Sequence, residues 1–272
     1  MTRELVLLKI GGSLITDKTR PGSLRRGILK RVAAEVARAA GARRILLGHG
    51  SGSFGHAAAS RHGLNDGPVG RRALPGIADT QDRAAQLHRL VIAALRAAGA
   101  RPFSLAPSSF LTARAGRPGA PRIEPLERAL ELGLLPVVFG DVLLDREWGA
   151  CIGSTETVLL ALARSLRRSG WALRRAVWLG ATDGVYDRSG RTIRRLEPRE
   201  LPAVLAGVDD AAGTDVTGGI RLRLSTAASL ARLGVTSHIV DGTAPGVLEQ
   251  ALRGRAVGTR VVPAGRQERT HG

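Results

Sequence analysis

Short, almost wholly apolar runs alternate along this chain with longer stretches whose apolar residues recur every three or four positions. Residues 4–10 are apolar at every position after the first except Lys9, and 43–48, 101–105 and 134–140 read as further buried strands. Helical spacing runs through 24–40 (Ile28, Val32, Val36, Ala39), with Gly41 as its predicted C-terminal cap, and through 77–98, closed by Gly99. Residues 65–75 and 113–121, rich in Gly and Pro, predict loops, and 125–132 a short helix. Residues 141–152 predict a hairpin with Arg146-Glu147-Trp148-Gly149 at its tip. The second half continues with a helix at 154–167, a strand at 175–180, a turn at 181–187 and a short run at 191–194. A helix at 217–233, a strand at 236–240, a helix at 244–253 and a final strand at 257–262 complete the reading. Such alternation predicts an α/β fold, a three-layer αβα sandwich around a mostly parallel sheet, with ligands at the carboxyl ends of the strands. A single domain over 1–272 is expected, with lobes of about 1–170 and 171–265.

Composition narrows the function. No run approaches the roughly 18–20 apolar residues of a membrane span, and no apolar leader core precedes the first strand. The single cysteine, Cys151, excludes an internal disulfide and fits a reducing cytoplasm. A formal charge of +18 raises nucleic acid as a partner. The basic residues are scattered as Arg pairs and aromatics make up only 3% of the chain, so a solvated, Arg-rich surface is the better reading and no specific nucleic-acid partner is expected.

Candidate chemistry concentrates in two glycine turns, each after an apolar strand. The first is Lys9-Ile10-Gly11-Gly12-Ser13; the second is His49-Gly50-Ser51-Gly52-Ser53-Phe54-Gly55-His56. Glycines let backbone N–H groups approach an anion, and a following helix N-terminus adds partial positive charge. Only three of the 41 basic residues are lysines, and two of them, Lys9 and Lys18, flank the first turn. The second turn satisfies G-x-G-x-x-G, yet no acidic residue follows at the end of the next strand to hold a ribose, which argues against a dinucleotide fold. A Walker A loop is absent.

Together with Thr16-Asp17-Lys18, Gly140-Asp141-Val142, Asp183-Gly184-Val185-Tyr186-Asp187, Asp215-Val216-Thr217-Gly218-Gly219-Ile220 and Gly258-Thr259, these turns resemble the amino acid kinase superfamily, and within it the isopentenyl phosphate kinases. The resemblance implies ATP-dependent phosphorylation of isopentenyl phosphate, with ATP and Mg²⁺, by a cytoplasmic homodimer serving isoprene biosynthesis through the mevalonate pathway. It makes Lys9, Lys18 and His56 catalytic. It places nucleotide contacts at Lys9, Gly11, Gly12, Ser13, Gly52, Asp183, Gly219 and Arg223, and substrate contacts at Ser51, His56 and Thr155, with no metal ligand assigned on the chain. An acceptor that is already a phosphate is ionised at neutral pH and needs no general base, so cations beside Gly turns suit the task.

Two positions depart from the pattern. Arg223 stands where the family usually has Lys, and Ser154-Thr155-Glu156-Thr157 replaces a segment often written Ser-Gly-Asp-Asp, so that Thr155 falls at an expected Gly contact. Two alternatives stay open: a fosfomycin or other phosphonate kinase, similar around Lys9 and Pro21-Gly22-Ser23-Leu24, and a nucleotide-binding module without turnover on the same fold.

Overall fold

Successive side chains of a strand point to opposite faces, and the first strand, β1 (Glu4–Ile10), uses both. Leu5 and Leu7 enter one core, Leu8 and Ile10 the other. The protein, described here from a computed structural model covering residues 3–17, 19–64, 67–210 and 219–264, is built outward from that strand. After β1 come α1 (Gly12–Ile15), α2 (Arg26–Ala42), β2 (Ile45–His49), α3 (Gly52–Arg61) and α4 (Leu74–Ala97). Next are β3 (Pro102–Ser104), β4 (Ala113–Arg114), β5 (Arg117–Pro118), α5 (Glu124–Glu131) and β6 (Leu135–Phe139). The hairpin β7 (Asp141–Asp145) and β8 (Gly149–Gly153) leads to α6 (Thr155–Arg168) and β9 (Ala172–Gly180). The chain continues through β10 (Arg195–Leu196), α7 (Leu201–Asp210), α8 (Gly219–Arg232), β11 (Thr236–Asp241), α9 (Val247–Leu252) and β12 (Thr259–Val261).

Eight strands form one sheet in the order β10-β12-β11-β9-β1-β2-β6-β3, parallel except where β12 meets β11. A second, smaller sheet runs β5-β4-β7-β8. One face of the large sheet is packed by α6 and α8 through residues such as Leu159, Leu162 and Leu224; the other is covered by α2, α4 and α9 through Val32, Leu87 and Leu248. The predicted three-layer arrangement is therefore present. β1 lies between β2 and β9, and the chain builds outward on the β2 side first and the β9 side later. Such a reversal opens a crevice at the strand carboxyl ends.

Several local expectations change. Gly41 lies inside α2, which runs on to Ala42; a Cβ there would meet nothing within 4 Å, so no left-handed cap is needed. Gly99, at φ +85°, does close α4. That helix begins at Leu74 because Pro75 falls in its first turn, where a missing N–H costs nothing. The expected loop at 113–121 contains the β4–β5 hairpin, and α7 is a helix that the apolar pattern does not predict.

Candidate active site

The two glycine turns meet backbone to backbone where β1 and β2 end side by side, Ile10 in register with His49. A Cβ on Gly12 would stand 2.5 Å from Gly52 N, and one on Gly50 would stand 2.8 Å from Gly12 N. Gly11 sits against β9, donating its N–H to Leu179 O at 2.7 Å. Gly52 has φ +51° and faces Thr16. The Thr16 hydroxyl then joins the turns, donating to Gly12 O at 2.8 Å and accepting Ser53 N–H at 3.0 Å. Any side chain at Gly11, Gly12, Gly50 or Gly52 would force this seam apart.

Strand parity sends Lys9 to the same face as Leu5 and Leu7, under α6 and α8. There Lys9 Nζ donates to Glu156 Oε1 at 2.5 Å, with both side chains buried. Arg223, in the second turn of α8, brings Nε to 4.0 Å from the same oxygen. Gly180 ends β9 under this guanidinium, since a Cβ there would stand 2.9 Å from Arg223 Nη1. Burial pushes Glu156 toward its neutral form, but Lys9 and then Arg223 outweigh it, and the net pKa is lowered. For Lys9, burial lowers the pKa, Glu156 opposes, and Arg223 lowers it again. The result is a cation pair clasped about one carboxylate at the floor of the crevice. In the sequence Glu156 stands out only as part of a departure from a motif; its partner lies 147 residues away.

On the β2 side, Ser51, Thr155 and Gly140 converge. A Cβ on Gly140 would stand 3.3 Å from Thr155 Oγ1, 3.6 Å from Ser51 N and 3.7 Å from Gly153 O. Ser51 precedes the first residue of α3, so that helix opens here. The Thr155 side chain is buried, with its hydroxyl donated to His49 O at 2.7 Å, and it packs over Gly48. Thr155 is also the first residue of α6, whose Ser154 cap accepts Thr157 N–H at 3.2 Å. His56 lies one turn into α3 and is exposed.

The remaining expected contacts spread along the β9 side. Ser13 is half-buried in α1, and Gly219 opens α8. Asp183 is exposed on the turn after β9, where the Thr192 hydroxyl donates to its Oδ2 at 2.7 Å. Hydrogen bonds from Tyr186 and Thr192 lower its pKa. That turn is fixed from below: Thr259 Oγ1 accepts Val185 N–H at 2.8 Å, and Gly258, at φ +61°, lets Asp183 O approach. Lys18 and the segment Asp215–Gly218 lie outside the described residues.

The amino acid kinase family model matches residues 4–241, a span that includes both turns, the hairpin, the Asp183 turn and Arg223. An isopentenyl phosphate kinase from Methanothermobacter thermautotrophicus is 34% identical, over 94% of this chain and 98% of its own. One from Haloferax volcanii is 31% identical over the same shares. A solved isopentenyl phosphate kinase superposes with a TM-score of 0.77 at 30% identity, covering 94% of this chain and 100% of its own. The chain belongs to the amino acid kinase family and, within it, groups with the isopentenyl phosphate kinases.

Proposed function

We propose that this protein transfers the γ-phosphoryl group of ATP to isopentenyl phosphate, giving isopentenyl diphosphate and ADP. The observation that carries the reading is the buried clasp of Lys9 and Arg223 on Glu156, at the end of the strand from which the first glycine turn springs. The acceptor oxygen is already ionised, so the task is to bring two polyanions together and stabilise charge on the group in flight. Lys9 answers that need as a point charge held in place by Glu156, which prevents the ammonium from relaxing away when no phosphate is bound. Gly11, Gly50 and Ser53 N–H are already donated within the protein, so phosphate oxygens fall to the other N–H groups of the turns and to the N-terminal ends of α3 and α6.

The nucleotide occupies the β9 side in this reading, between the first turn, the Asp183 turn and the start of α8, within the lobe of about 171–265. The acceptor occupies the β2 side, between Ser51, Gly140 and His56, in the lobe of about 1–170. Mg²⁺ arrives with ATP as part of the substrate, held by phosphate oxygens and water, and supplies further charge neutralisation. A cytoplasmic homodimer serving the mevalonate route is the setting this reading predicts; the buried, unpaired Cys151 thiol is compatible with such a compartment.

ATP consumption by the purified protein, compared across isopentenyl phosphate, dimethylallyl phosphate and fosfomycin, tests the reading. Turnover should be greatest with isopentenyl phosphate, and preference for fosfomycin would overturn it. His56→Ala should lower kcat/KM for isopentenyl phosphate roughly ten- to a hundredfold, the cost of a hydrogen bond to a charged group. Full activity in that variant would remove His56 from the acceptor site.

A further inference from the structure

Behind the acceptor side of the crevice lies a chain of polar groups that the transfer chemistry does not use, two buried histidines ending on the exposed Ser104. His49 Nδ1 is 3.1 Å from the carbonyl oxygen of Gly50, and its Nε2 is 2.9 Å from His88 Nδ1. His88 Nε2 lies in turn 2.7 Å from Ser104 Oγ, on β3. The two imidazoles stack on each other and on Phe139, with ring centroids 4.3 to 5.8 Å apart. A carbonyl only accepts, so His49 Nδ1 must carry its proton, and a neutral ring then leaves Nε2 as an acceptor. One proton order satisfies every member. Ser104 O–H donates to His88 Nε2, His88 Nδ1–H donates to His49 Nε2, and His49 Nδ1–H donates to Gly50 O. Burial holds both rings neutral, His49 at about 3 and His88 at about 4.

The end of this chain is a glycine whose peptide plane no side chain of its own can steer. Gly50 N–H is already tied to Ile10 O at 3.0 Å. Its carbonyl belongs to the next peptide, and across a trans peptide the C=O and the following N–H point in opposite directions. Holding Gly50 O toward the His49 ring therefore turns Ser51 N–H away from it. Ser51 N is the atom that stands 3.6 Å from the Cβ position of Gly140, beside Thr155 and Gly153.

We propose that His49, backed by His88 and Ser104, is a positioning residue that locks the Gly50–Ser51 peptide with its N–H presented to the acceptor phosphate. The inference rests on the acceptor reading given above, and adds to it a specificity device outside the contact residues. Without the lock the peptide can flip and offer a carbonyl oxygen to an anion.

Two measurements test it. Nitrogen-15 NMR of the imidazoles in the intact protein should show both His49 and His88 protonated at Nδ1; an Nε2–H tautomer at His49 overturns the proposal whatever the variants do. In kinetics, His49→Asn places an amide N–H near the Nδ1 position, whereas His49→Phe keeps ring volume without a donor. His49→Phe should raise KM for isopentenyl phosphate roughly ten- to a hundredfold, the loss of one oriented hydrogen bond to a charged ligand, with KM for ATP within about twofold. His49→Asn should recover most of that loss. Equal losses in the two variants, or parallel changes in both KM values, would mean a merely structural ring. If His49→Phe does not fold, His88→Asn against His88→Leu asks the same question one step back, since Asn keeps the donor toward His49. Absence of wild-type turnover with isopentenyl phosphate would instead sink the acceptor reading, an outcome separable from unequal behaviour of the variants.

Discussion

Glu156 and Asp145 are both buried carboxylates held below their ordinary pKa, and they are held there by opposite means. Glu156 sits against two side-chain cations, Lys9 and Arg223. Asp145, at the end of β7, accepts four backbone N–H groups: Ala115 at 3.0 Å, Gly116 at 2.8 Å, and Glu147 and Trp148 at 2.9 Å each. Burial pushes the Asp145 carboxyl up, and the four peptide donors more than reverse this, leaving it at about 2. Peptide N–H groups cannot move to a ligand, so Asp145 fixes architecture, clamping the β4–β5 hairpin to the tip of β7–β8 and holding Ala115 at φ +48°. A cation pair about a carboxylate is different, because an arriving phosphate can compete for the same positive charge. One carboxylate is spent on architecture, and the other leaves positive charge that a ligand can contest.

Breaking the floor should have the largest effect. Lys9→Met keeps the stem and removes the charge, and kcat should fall by a factor of about 10² or more, the scale of losing one preorganised electrostatic partner of a transition state. It also leaves Glu156 facing Arg223 alone, so stability should drop by a few kcal/mol, the scale of removing one partner of a buried pair. Adding Glu156→Gln should restore much of the stability and none of the rate. A change confined to KM for ATP would show ground-state binding only.

Glu156→Gln alone should cost less, roughly ten- to a hundredfold in kcat, since Lys9 stays but loses its anchor. Its pH profile separates positioning from simple loss of packing. Glu156 raises the Lys9 pKa against burial and Arg223, so removing it lets that pKa fall further. The ammonium then deprotonates at lower pH, and the alkaline limb of kcat should move to lower pH than in the wild type. An unmoved limb would mean that Lys9 does not need its charge.

Much of this comparison was hidden in the sequence. Lys9 was legible because a lone cation in an apolar strand before two glycines is a local signal, and so was the three-layer fold, because periodicity is local. Glu156 was not: nothing near it announces a partner on β1 147 residues earlier. Asp145 was hidden for another reason, since its four donors are main-chain groups that carry no residue signature. The same blindness turned the β4–β5 hairpin into an expected loop, as its strands are held by Asp145 rather than by an apolar pattern of their own.

Asp145→Asn should act on stability and scarcely on chemistry. An amide presents one acceptor oxygen and an NH₂ that faces N–H donors, so about 1.5–3 kcal/mol should be lost, or several degrees in Tm. The pH dependence has a definite sign. The carboxylate is favoured in the folded state, so its contribution is complete above the ordinary 3.8 and disappears as pH falls toward about 2. Thermal melts between pH 5 and pH 2 should therefore converge for wild type and variant at the acid end. Curves that stay parallel would mean that shape, not charge, secures the hairpin.

The smallest effect is expected from Arg223→Lys. A guanidinium that gripped Glu156 through paired donors would make this change costly, because an ammonium cannot reproduce a planar fork. The observed approach is not of that kind: Nε stands 4.0 Å from Glu156 Oε1, a distance at which charge matters more than hydrogen-bond direction. Gly180, having no Cβ, leaves the room that Nη1 occupies, and a slimmer ammonium fits the same room. Lys9 already makes the short contact to the carboxylate, so toward Glu156 Arg223 adds a second positive charge rather than a paired hydrogen bond. Steady-state kinetics with ATP should then find Arg223→Lys within about fivefold of wild type, about 1 kcal/mol in transition-state terms. A loss as large as that of Glu156→Gln would show that the fork itself holds a phosphate in register, and the floor would have to be read as a bidentate nucleotide grip rather than as a pair of charges around Glu156.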